Sequence, residues 1–316
     1  MSRTAATDSV TRSAAMHRMW AYRERDNMKW FWVVVLLLAS SSGVICIGGM
    51  PCAWADASGV TQEDYEGRSM LVYVPSRLPK IGARALVVVL HGGLGNARSI
   101  ESRQAESGLN MDAVADKAGF IVAYLNGTPV TRLLDADRLG WNAGGGCCGV
   151  PAQHDIDDVG YIKGAIKTLV GQYGIDPGEV YGIGHSNGAM MTQRVMCETG
   201  VYAAAVAISG PLNLRNARCE AARGRKILAI HGADDRNVPV AGGQGSKGLS
   251  RAAYNSEASS QQSFQNAGVS YSLQIVPAAD HKLDHIQDAL QQAEGMSIAE
   301  KAARFFGLLS GSGQAG

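Results

Sequence analysis

The sequence lacks both a strong net charge and an apolar run long enough to span a membrane. It contains 29 Lys or Arg residues against 28 Asp or Glu residues, which gives a formal net charge of +1. Its most apolar stretch, residues 30–39, has ten residues before a serine cluster, whereas a spanning helix needs about twenty. The sequence therefore indicates neither a nucleic-acid partner nor a stable membrane anchor.

Residues 1–55 have the pattern of an export signal. A long basic lead precedes the apolar stretch, and residues 53–55 (Ala-Trp-Ala) form the small-x-small pattern that signal peptidase recognises. We predict cleavage before Asp56, with a transmembrane anchor as the alternative. A translation start at Met28 would give a signal of ordinary length. The remaining residues 56–316 carry 23 basic and 25 acidic side chains, a net charge near −2.

Residues 56–316 contain no internal repeat and no linker to a second module, so we expect a single domain with one core. Short apolar runs rich in β-branched residues alternate with amphipathic stretches, which predicts an α/β fold with a mostly parallel sheet. The predicted strands are 70–74, 85–90, 120–124, 179–183, 203–208, 226–230 and 271–276. The predicted helices are 99–118, 158–173, 188–197, 250–267 and 297–309. The Gly-rich segment 126–155 shows neither periodicity and is too long for a simple connector.

Four cysteines remain after removal of the signal, and an oxidising compartment would favour disulfides between them. Cys197 lies near the end of a predicted helix and Cys219 follows the next strand, so we predict that these two are paired. A bridge between the adjacent Cys147 and Cys148 would be strained across about 3.8 Å. The alternative is that one of this adjacent pair is joined to Cys197 or Cys219.

The strongest chemical signal is the pentapeptide Gly-His-Ser-Asn-Gly at 184–188, between a buried strand and a helix. This is the context of a nucleophile elbow, in which Ser186 occupies a sharp strand-to-helix turn. The flanking glycines allow close approach of neighbouring elements. We therefore predict that Ser186 is the nucleophile, and we place His185 at the substrate cleft.

A serine nucleophile requires a histidine base and an acid that orients it, in the chain order serine, acid, histidine. Asp234 and Asp235 both follow the strand 226–230, at the strand end where α/β sheets bind ligands. We choose Asp235 as the acid. His281 follows the next strand and is the predicted base, and His285 is the alternative. No metal or cofactor is expected, because serine acyl transfer needs neither.

The oxyanion hole needs two backbone N–H groups that face the developing negative charge. Asn187, directly after the nucleophile, is predicted to supply one of them. The second is expected from Gly93 or Leu94, in the Gly-rich turn that follows the strand 85–90.

Together these segments resemble the bacterial polyhydroxybutyrate-depolymerase and feruloyl-esterase-like family of secreted α/β-hydrolases, which is related to carbohydrate esterase family one. The resemblance implies an α/β-hydrolase fold and supports Asp235, since the family's acid stands three residues before a Val-Pro pair. At 278–282 the sequence departs from the family's usual Gly-x-Gly-His segment followed by Trp. The matching segments are Leu-His-Gly-Gly at 90–93, Gly-Trp-Asn-Ala at 140–143, Cys-Cys-Gly at 147–149, Asp-Asp-Val-Gly-Tyr-Ile at 157–162, 184–191, and His231-Gly232 with Asp235 and Val238-Pro239.

Other polar and aromatic residues have simpler interpretations. Asp157 and Asp158 precede a predicted helix and are expected to be N-terminal caps. His154 with Asp155 lacks the further spacing of a metal site, so no metal is predicted there. Trp141 is assigned to the wall of the substrate cleft, and a role in anchoring the loop is the alternative.

The resemblance and the predicted triad imply a secreted serine esterase for short-chain hydroxyacyl or hydroxycinnamoyl esters, with a small-molecule or oligomeric ester as its partner. The alternative is a noncatalytic secreted protein that binds a glycan or polymer on the same scaffold. A peptidase on this fold would add a lid or propeller domain. The sequence shows no long insertion before the acid or the histidine that would form a lipase lid, which favours short or flat acyl groups.

Overall fold

The computed structural model describes residues 58–102, 104, 108–131, 136–247 and 252–310. The predicted signal and its cleavage site lie outside these residues. The observed strands are β1 (Gly59–Tyr65), β2 (Arg68–Val74), β3 (Arg84–Leu90), β4 (Ile121–Leu125), β5 (Thr128–Pro129), β6 (Leu139–Gly140), β7 (Ile175–His185), β8 (Ala204–Ile208), β9 (Lys226–Gly232), β10 (Gly243–Gln244), β11 (Ala253–Tyr254) and β12 (Ser270–Val276). The observed helices are α1 (Ala97–Glu101), α2 (Asp112–Ala118), α3 (Gly149–Gln153), α4 (Asp158–Tyr173), α5 (Asn187–Thr199), α6 (Glu257–Asn266), α7 (Leu283–Glu294) and α8 (Ile298–Phe306).

Eight strands form one sheet in the order β1-β2-β4-β3-β7-β8-β9-β12. The pairs β1/β2 and β2/β4 are antiparallel, and the five remaining pairs are parallel. β3 and β4 are buried along their whole length, as expected for strands covered on both faces. This confirms the predicted α/β fold with its mostly parallel sheet.

The sheet separates two hydrophobic clusters. One contains buried side chains of α4, α5 and α6, and the other contains those of α2, α7 and α8. Side chains that alternate along β3 fall into opposite clusters, with Val88 in the first and Val87 in the second. Because the six strands from β4 to β12 in the sheet order are paired in parallel, their carboxyl ends lie at one edge of the sheet, and the loops that carry the predicted site residues follow these ends.

Each of the seven predicted strands overlaps an observed strand, but two predicted helices were wrong in extent. The predicted helix 99–118 is two short helices, because Asn110 bonds to the backbone between them: its Nδ2 donates to the carbonyl of Glu101 and its Oδ1 accepts from Asp112 N–H. The predicted helix 250–267 begins only at Glu257.

The start of α6 is fixed by Ser256, whose hydroxyl accepts from the N–H of Ser259. Just before it, β11 pairs with β10 in a short antiparallel ladder. β1 and α7 were not predicted. Segment 126–155, expected to be irregular, contains the short β5/β6 pair and α3 in its described part.

The predicted pairing of Cys197 with Cys219 is confirmed, with an S–S distance of 2.10 Å. Cys147 and Cys148 are joined to each other across a cis peptide bond, with their Cα atoms 3.0 Å apart. The alternative in which one of this pair is joined to Cys197 or Cys219 is therefore wrong. Within the described ranges, no helix has the length and apolar character needed to cross a membrane.

Candidate active site

Ser186 lies at the turn between β7 and α5, with a φ of 55° and a ψ of −122°. A non-glycine residue seldom adopts a positive φ, and strain of this kind concentrates at functional sites. Crowding around the turn explains its glycines. A Cβ on Gly184 would collide with the carbonyl of Gly188, and a Cβ on Gly188 would collide with the carbonyl of Leu90. The observed turn has the geometry that the elbow motif predicts.

His281 lies in the loop between β12 and α7 and contacts Ser186. Its Nε2 is 2.8 Å from Ser186 Oγ, and its Nδ1 is 2.7 Å from Asp235 Oδ2. The His281 side chain is 15% exposed, so one side of the ring faces solvent. The alternative base, His285, is instead exposed, and its Nδ1 contacts Asp280 Oδ1 at 2.8 Å.

Asp235 follows β9 and is fully buried at its side chain. Its Oδ1 accepts hydrogen bonds from the backbone N–H groups of Asn237 and Val238, at 2.8 and 2.9 Å. Burial tends to raise the pKa of Asp235, but hydrogen bonds with His231 and His281 hold that pKa well below its usual range. Asp235 is therefore ionised at neutral pH and faces His281, whereas the neighbouring Asp234 is exposed.

The structure corrects the assignment of Trp141 to the cleft wall. The indole is fully buried, and its Nε1 donates to the carbonyl of His91 at 2.9 Å. The backbone of Trp141 exchanges two hydrogen bonds with the side chain of Asn187, at 2.7 and 3.1 Å. Trp141 thus anchors the described part of segment 126–155 to the start of α5, as the alternative interpretation of this residue predicts.

His185 is mostly buried beside the candidate triad. It is 8% exposed, and its Nε2 is 2.9 Å from the carbonyl oxygen of His281, so this nitrogen donates. Burial and the neighbouring His281 lower the pKa of His185 to about 3, which keeps the ring neutral. His185 therefore supports the backbone of the histidine loop, and its place at the substrate cleft stays a prediction.

The hydrogen bonds in the structure show which of the predicted oxyanion donors has a backbone N–H group available for a substrate. The N–H of Leu94 donates to the carbonyl of Leu139 at 2.8 Å, so Leu94 is excluded as a donor. Gly93 lies beside Asn187: a Cβ on Gly93 would be 3.7 Å from the Cβ of Asn187. Within the described part of the chain, the backbone N–H groups of Gly93 and Asn187 have no hydrogen-bond partner. These two N–H groups remain the candidates.

The acidic residues before α4 have structural contacts. Asp157 caps α4 by accepting from the N–H of Gly160 at 2.8 Å, as predicted. Asp158 does not cap the helix. It is paired with Arg68 and accepts from the N–H of Asn142 at 2.6 Å. Among the described residues, no group of three or more His, Cys, Asp or Glu side chains is arranged to hold a metal ion.

Two residues of the hydrogen-bond network behind Asp235 were not identified from the sequence. His231, in β9, and Glu257, at the start of α6, form a buried hydrogen-bonded chain that reaches Asp235. His231 lies in the His-Gly segment that matches the family pattern. Glu257 carried no comparable signal, because its contact with His231 joins residues that are 26 positions apart.

A family model for phospholipases and carboxylesterases matches residues 78–285, which include the strand ends that carry Ser186, Asp235 and His281. A putative esterase from Nocardia uniformis, NocK, is 34% identical over 160 residues, which is 50% of this chain and 42% of that protein. Feruloyl esterase B of Neurospora crassa is 33% identical over 147 residues, which is 45% of this chain and 43% of that protein.

The aligned regions thus span about two fifths of the length of these curated relatives. Among solved structures, a puromycin-hydrolyzing peptidase of Mycobacterium tuberculosis superimposes with a TM-score of 0.56 and 16% identity. The match covers 83% of this chain and 41% of that one, and at this identity it shows the fold alone. The family model covers well over half of the sequence, and the chain belongs to the phospholipase/carboxylesterase family of α/β-hydrolases.

Proposed function

We propose that this chain is a secreted serine esterase in which Ser186, His281 and Asp235 are the catalytic triad. The observation that carries the proposal is the continuous chain of short contacts: Ser186 Oγ to His281 Nε2 at 2.8 Å and His281 Nδ1 to Asp235 Oδ2 at 2.7 Å. A buried, ionised carboxyl group orients the imidazole, and the imidazole reaches the hydroxyl that it must deprotonate. Membership of the carboxylesterase family supports an ester as the substrate.

In the proposed reaction, Ser186 Oγ attacks the ester carbonyl carbon while His281 Nε2 takes the hydroxyl proton. The tetrahedral intermediate collapses, and His281 returns the proton to the departing alcohol, which leaves an acyl-enzyme on Ser186. Water then attacks the acyl-enzyme with His281 again as the base, and the carboxylic acid is released. The negative charge of each intermediate is stabilised by the N–H groups of Gly93 and Asn187.

The proposed substrates are small molecules or oligomers that contain short-chain hydroxyacyl or hydroxycinnamoyl ester groups. Three observations support this class. The chain is 33% identical to a feruloyl esterase over 147 residues. The apolar side chain of Leu94 is 38% exposed directly after Gly93, where it offers an apolar contact. Within the described part of segment 126–155, Trp141 is hydrogen-bonded to Asn187 of the elbow, which favours a fixed boundary there over a mobile lipase lid.

We further propose that residues 1–55 are a signal peptide and that residues 56–316 form one catalytic domain outside the cytoplasm. The Cys197–Cys219 disulfide supports an oxidising compartment. N-terminal sequencing of protein purified from the periplasm or medium should begin at Asp56. A mature protein that retains the apolar stretch 30–39 would contradict this proposal.

A panel of esters tests the function and its chain-length preference. Wild type should hydrolyse p-nitrophenyl acetate and butyrate and methyl hydroxycinnamates, and kcat/KM on p-nitrophenyl esters should peak at about two to four acyl carbons. Longer chains gain about 0.8 kcal/mol per methylene only where a pocket extends to bury it.

The Ser186→Ala variant is the control for this panel and should lose turnover on every ester. A kcat/KM that kept rising to palmitate would reject the short-acyl preference. Full activity in Ser186→Ala would reject the triad itself.

A further inference from the structure

A second histidine lies behind the acid of the triad. His231 is fully buried in β9, and its Nε2 is 3.0 Å from Asp235 Oδ2 and 2.9 Å from the carbonyl oxygen of Val238. On the other side of the ring, Nδ1 is 2.7 Å from Glu257 Oε1. Both ring nitrogens therefore face oxygen acceptors. A neutral imidazole has a single N–H, so donation on both sides requires the protonated ring.

Glu257 is held in place from two further elements. Its backbone N–H donates to the carbonyl of Val240 at 3.0 Å, and its Oε2 accepts from the Tyr271 hydroxyl at 2.8 Å. Burial and the neighbouring Glu257 raise the pKa of Tyr271 far above its ordinary value, so this phenol keeps the proton that it donates. The carboxyl group of Glu257 is 1% exposed, and it cannot turn toward solvent without losing its hydrogen bonds to His231 and Tyr271.

The charges alternate along the hydrogen-bonded series Asp235, His231 and Glu257. Burial works to lower the pKa of His231, but its hydrogen bonds with Asp235 and Glu257 raise it to about 9. At neutral pH a buried cation therefore lies between two carboxyl groups, with the same Asp235 Oδ2 oxygen shared by His231 and His281.

We propose that His231 and Glu257 are positioning residues for the proposed triad, in which His231 is a buried cation that fixes Asp235 toward His281 and weakens the attraction of Asp235 for a protonated His281. This inference rests on the proposed function, because it assigns a role relative to Asp235 and His281. His231 and Glu257 act through Asp235 and touch neither Ser186 nor the ester.

The charged and titratable groups around His231 and Glu257 determine whether this pair raises or lowers the pKa of His281. Asp235 and Glu257 flank His231, and Tyr271 closes the chain from β12. On the elbow side, His185 packs against the His281 ring at 5.2 Å and is neutral. The loop neighbours of His281 are Asp280 and Lys282, and Asp280 is engaged by His285. His231 is thus the positive group that lies against the shared carboxylate.

Removal of the His231 charge should favour the protonated form of His281. In His231→Gln, we expect the acid limb of the kcat/KM profile to move to higher pH by about 0.5 to 1 unit, because a positive charge near the base is lost. The same variant leaves the carboxylate of Glu257 buried without a positively charged partner, so the thermal unfolding midpoint should fall by about 10 °C.

The double variant His231→Gln/Glu257→Gln separates the two effects. It removes the stranded carboxyl group as well, so the unfolding midpoint should recover, while the acid limb should stay shifted because the nearer charge is still missing. His285→Gln is the matched control: it makes the same substitution in the exposed His285–Asp280 pair. It should change neither the profile nor the unfolding midpoint.

A third measurement does not depend on catalysis. Nitrogen-15 NMR of the histidine side chains at pH 7.5 should show an imidazolium, with both nitrogens protonated, whose signals vanish in His231→Gln. If wild type hydrolyses no ester, the proposed function fails while this NMR result still stands. If His231→Gln and the double variant keep the wild-type acid limb, or if the NMR shows a neutral His231, the positioning role is overturned.

Discussion

The two sides of the candidate site are built by different physical means. On the elbow side, the position of Ser186 follows from the main chain: a positive φ and glycines whose missing Cβ atoms make room for neighbouring carbonyls. On the acid–base side, His281 and Asp235 occupy loops, and hydrogen bonds made by their side chains hold them in place: the two residues bond to each other across 46 positions of sequence, and Asp235 also bonds to the nearby His231.

Because of this difference, substitutions on the two sides should have different consequences for folding and for activity. Steric exclusion around a glycine admits almost no substitution, because a Cβ has nowhere to go without moving the backbone. A hydrogen-bonded carboxyl group can be replaced by an amide of the same shape, which removes the charge and leaves the packing intact. We expect substitutions at the elbow glycines to destabilise the fold, and substitutions of the acid–base residues to abolish activity.

Asp235→Asn should produce the largest effect on activity. The amide can still accept hydrogen bonds from Asn237 and Val238, but it no longer provides a carboxylate for His281. We expect kcat to fall by about 10⁴-fold, as loss of the acid does in other serine triads. Steady-state kinetics alongside circular dichroism would check this, and a variant that keeps more than a tenth of wild-type kcat would remove Asp235 from the triad.

Gly188→Ala should break the elbow side through its fold. The added Cβ would collide with the carbonyls of Leu90 and His91, so we expect a loss of more than about 3 kcal/mol in the free energy of unfolding. Gly171→Ala is the matched control, because Gly171 lies in α4 with open space around it. That change should stabilise the protein by about 0.5 to 1 kcal/mol. Equal unfolding midpoints in the two variants would refute the steric account.

The pH dependence of stability should carry opposite signs on the two sides. His185 binds a proton in the unfolded chain below pH 6.5 but in the folded chain only near its pKa of about 3, so its neutral burial makes stability fall as pH decreases through this window. His231 has its pKa raised to about 9, so its contribution is complete below pH 6.5 and is lost as pH rises toward and past 9.

Denaturant unfolding from pH 4 to 10 would measure this dome-shaped profile, in which we expect the His231 contribution to be about 1 to 3 kcal/mol. The double variant His231→Gln/Glu257→Gln should flatten the alkaline side and leave the acid side unchanged. An alkaline slope that survives in this variant would assign it to another group.

The elbow side could be predicted from the sequence because its constraints are local. The Gly-x-Ser-x-Gly spacing, the buried strand before it and the helix after it all lie within about twenty residues. The same applies to the strands of the sheet, whose apolar runs are continuous. Asp235 and His281 could also be chosen, because each follows a predicted strand and the two occur in the chain order that a serine triad requires. The structure then shows that these strands, β9 and β12, are neighbours in the sheet.

The errors concern interactions that the sequence pattern does not contain. Leu94 was a candidate oxyanion donor until the structure showed its N–H bonded to Leu139, 45 residues away. Trp141 was assigned to the cleft, yet its indole bonds to His91 and is buried. The prediction of a single helix over 99–118 did not take into account the hydrogen bonds of the Asn110 side chain with the backbone of Glu101 and Asp112. In each case a specific hydrogen bond prevailed over composition and periodicity.

The central claim, that Ser186 is the nucleophile of an esterase, is tested most directly by covalent labelling. Diethyl p-nitrophenyl phosphate transfers its diethylphosphoryl group to an activated serine hydroxyl and releases p-nitrophenol. Intact mass spectrometry of the treated protein should show one added diethylphosphoryl group, peptide mapping should place it on Ser186, and ester hydrolysis should fall in proportion to the labelled fraction. Hydrolysis that persists in fully labelled protein, or loss of activity through a label on a different residue, would contradict the account.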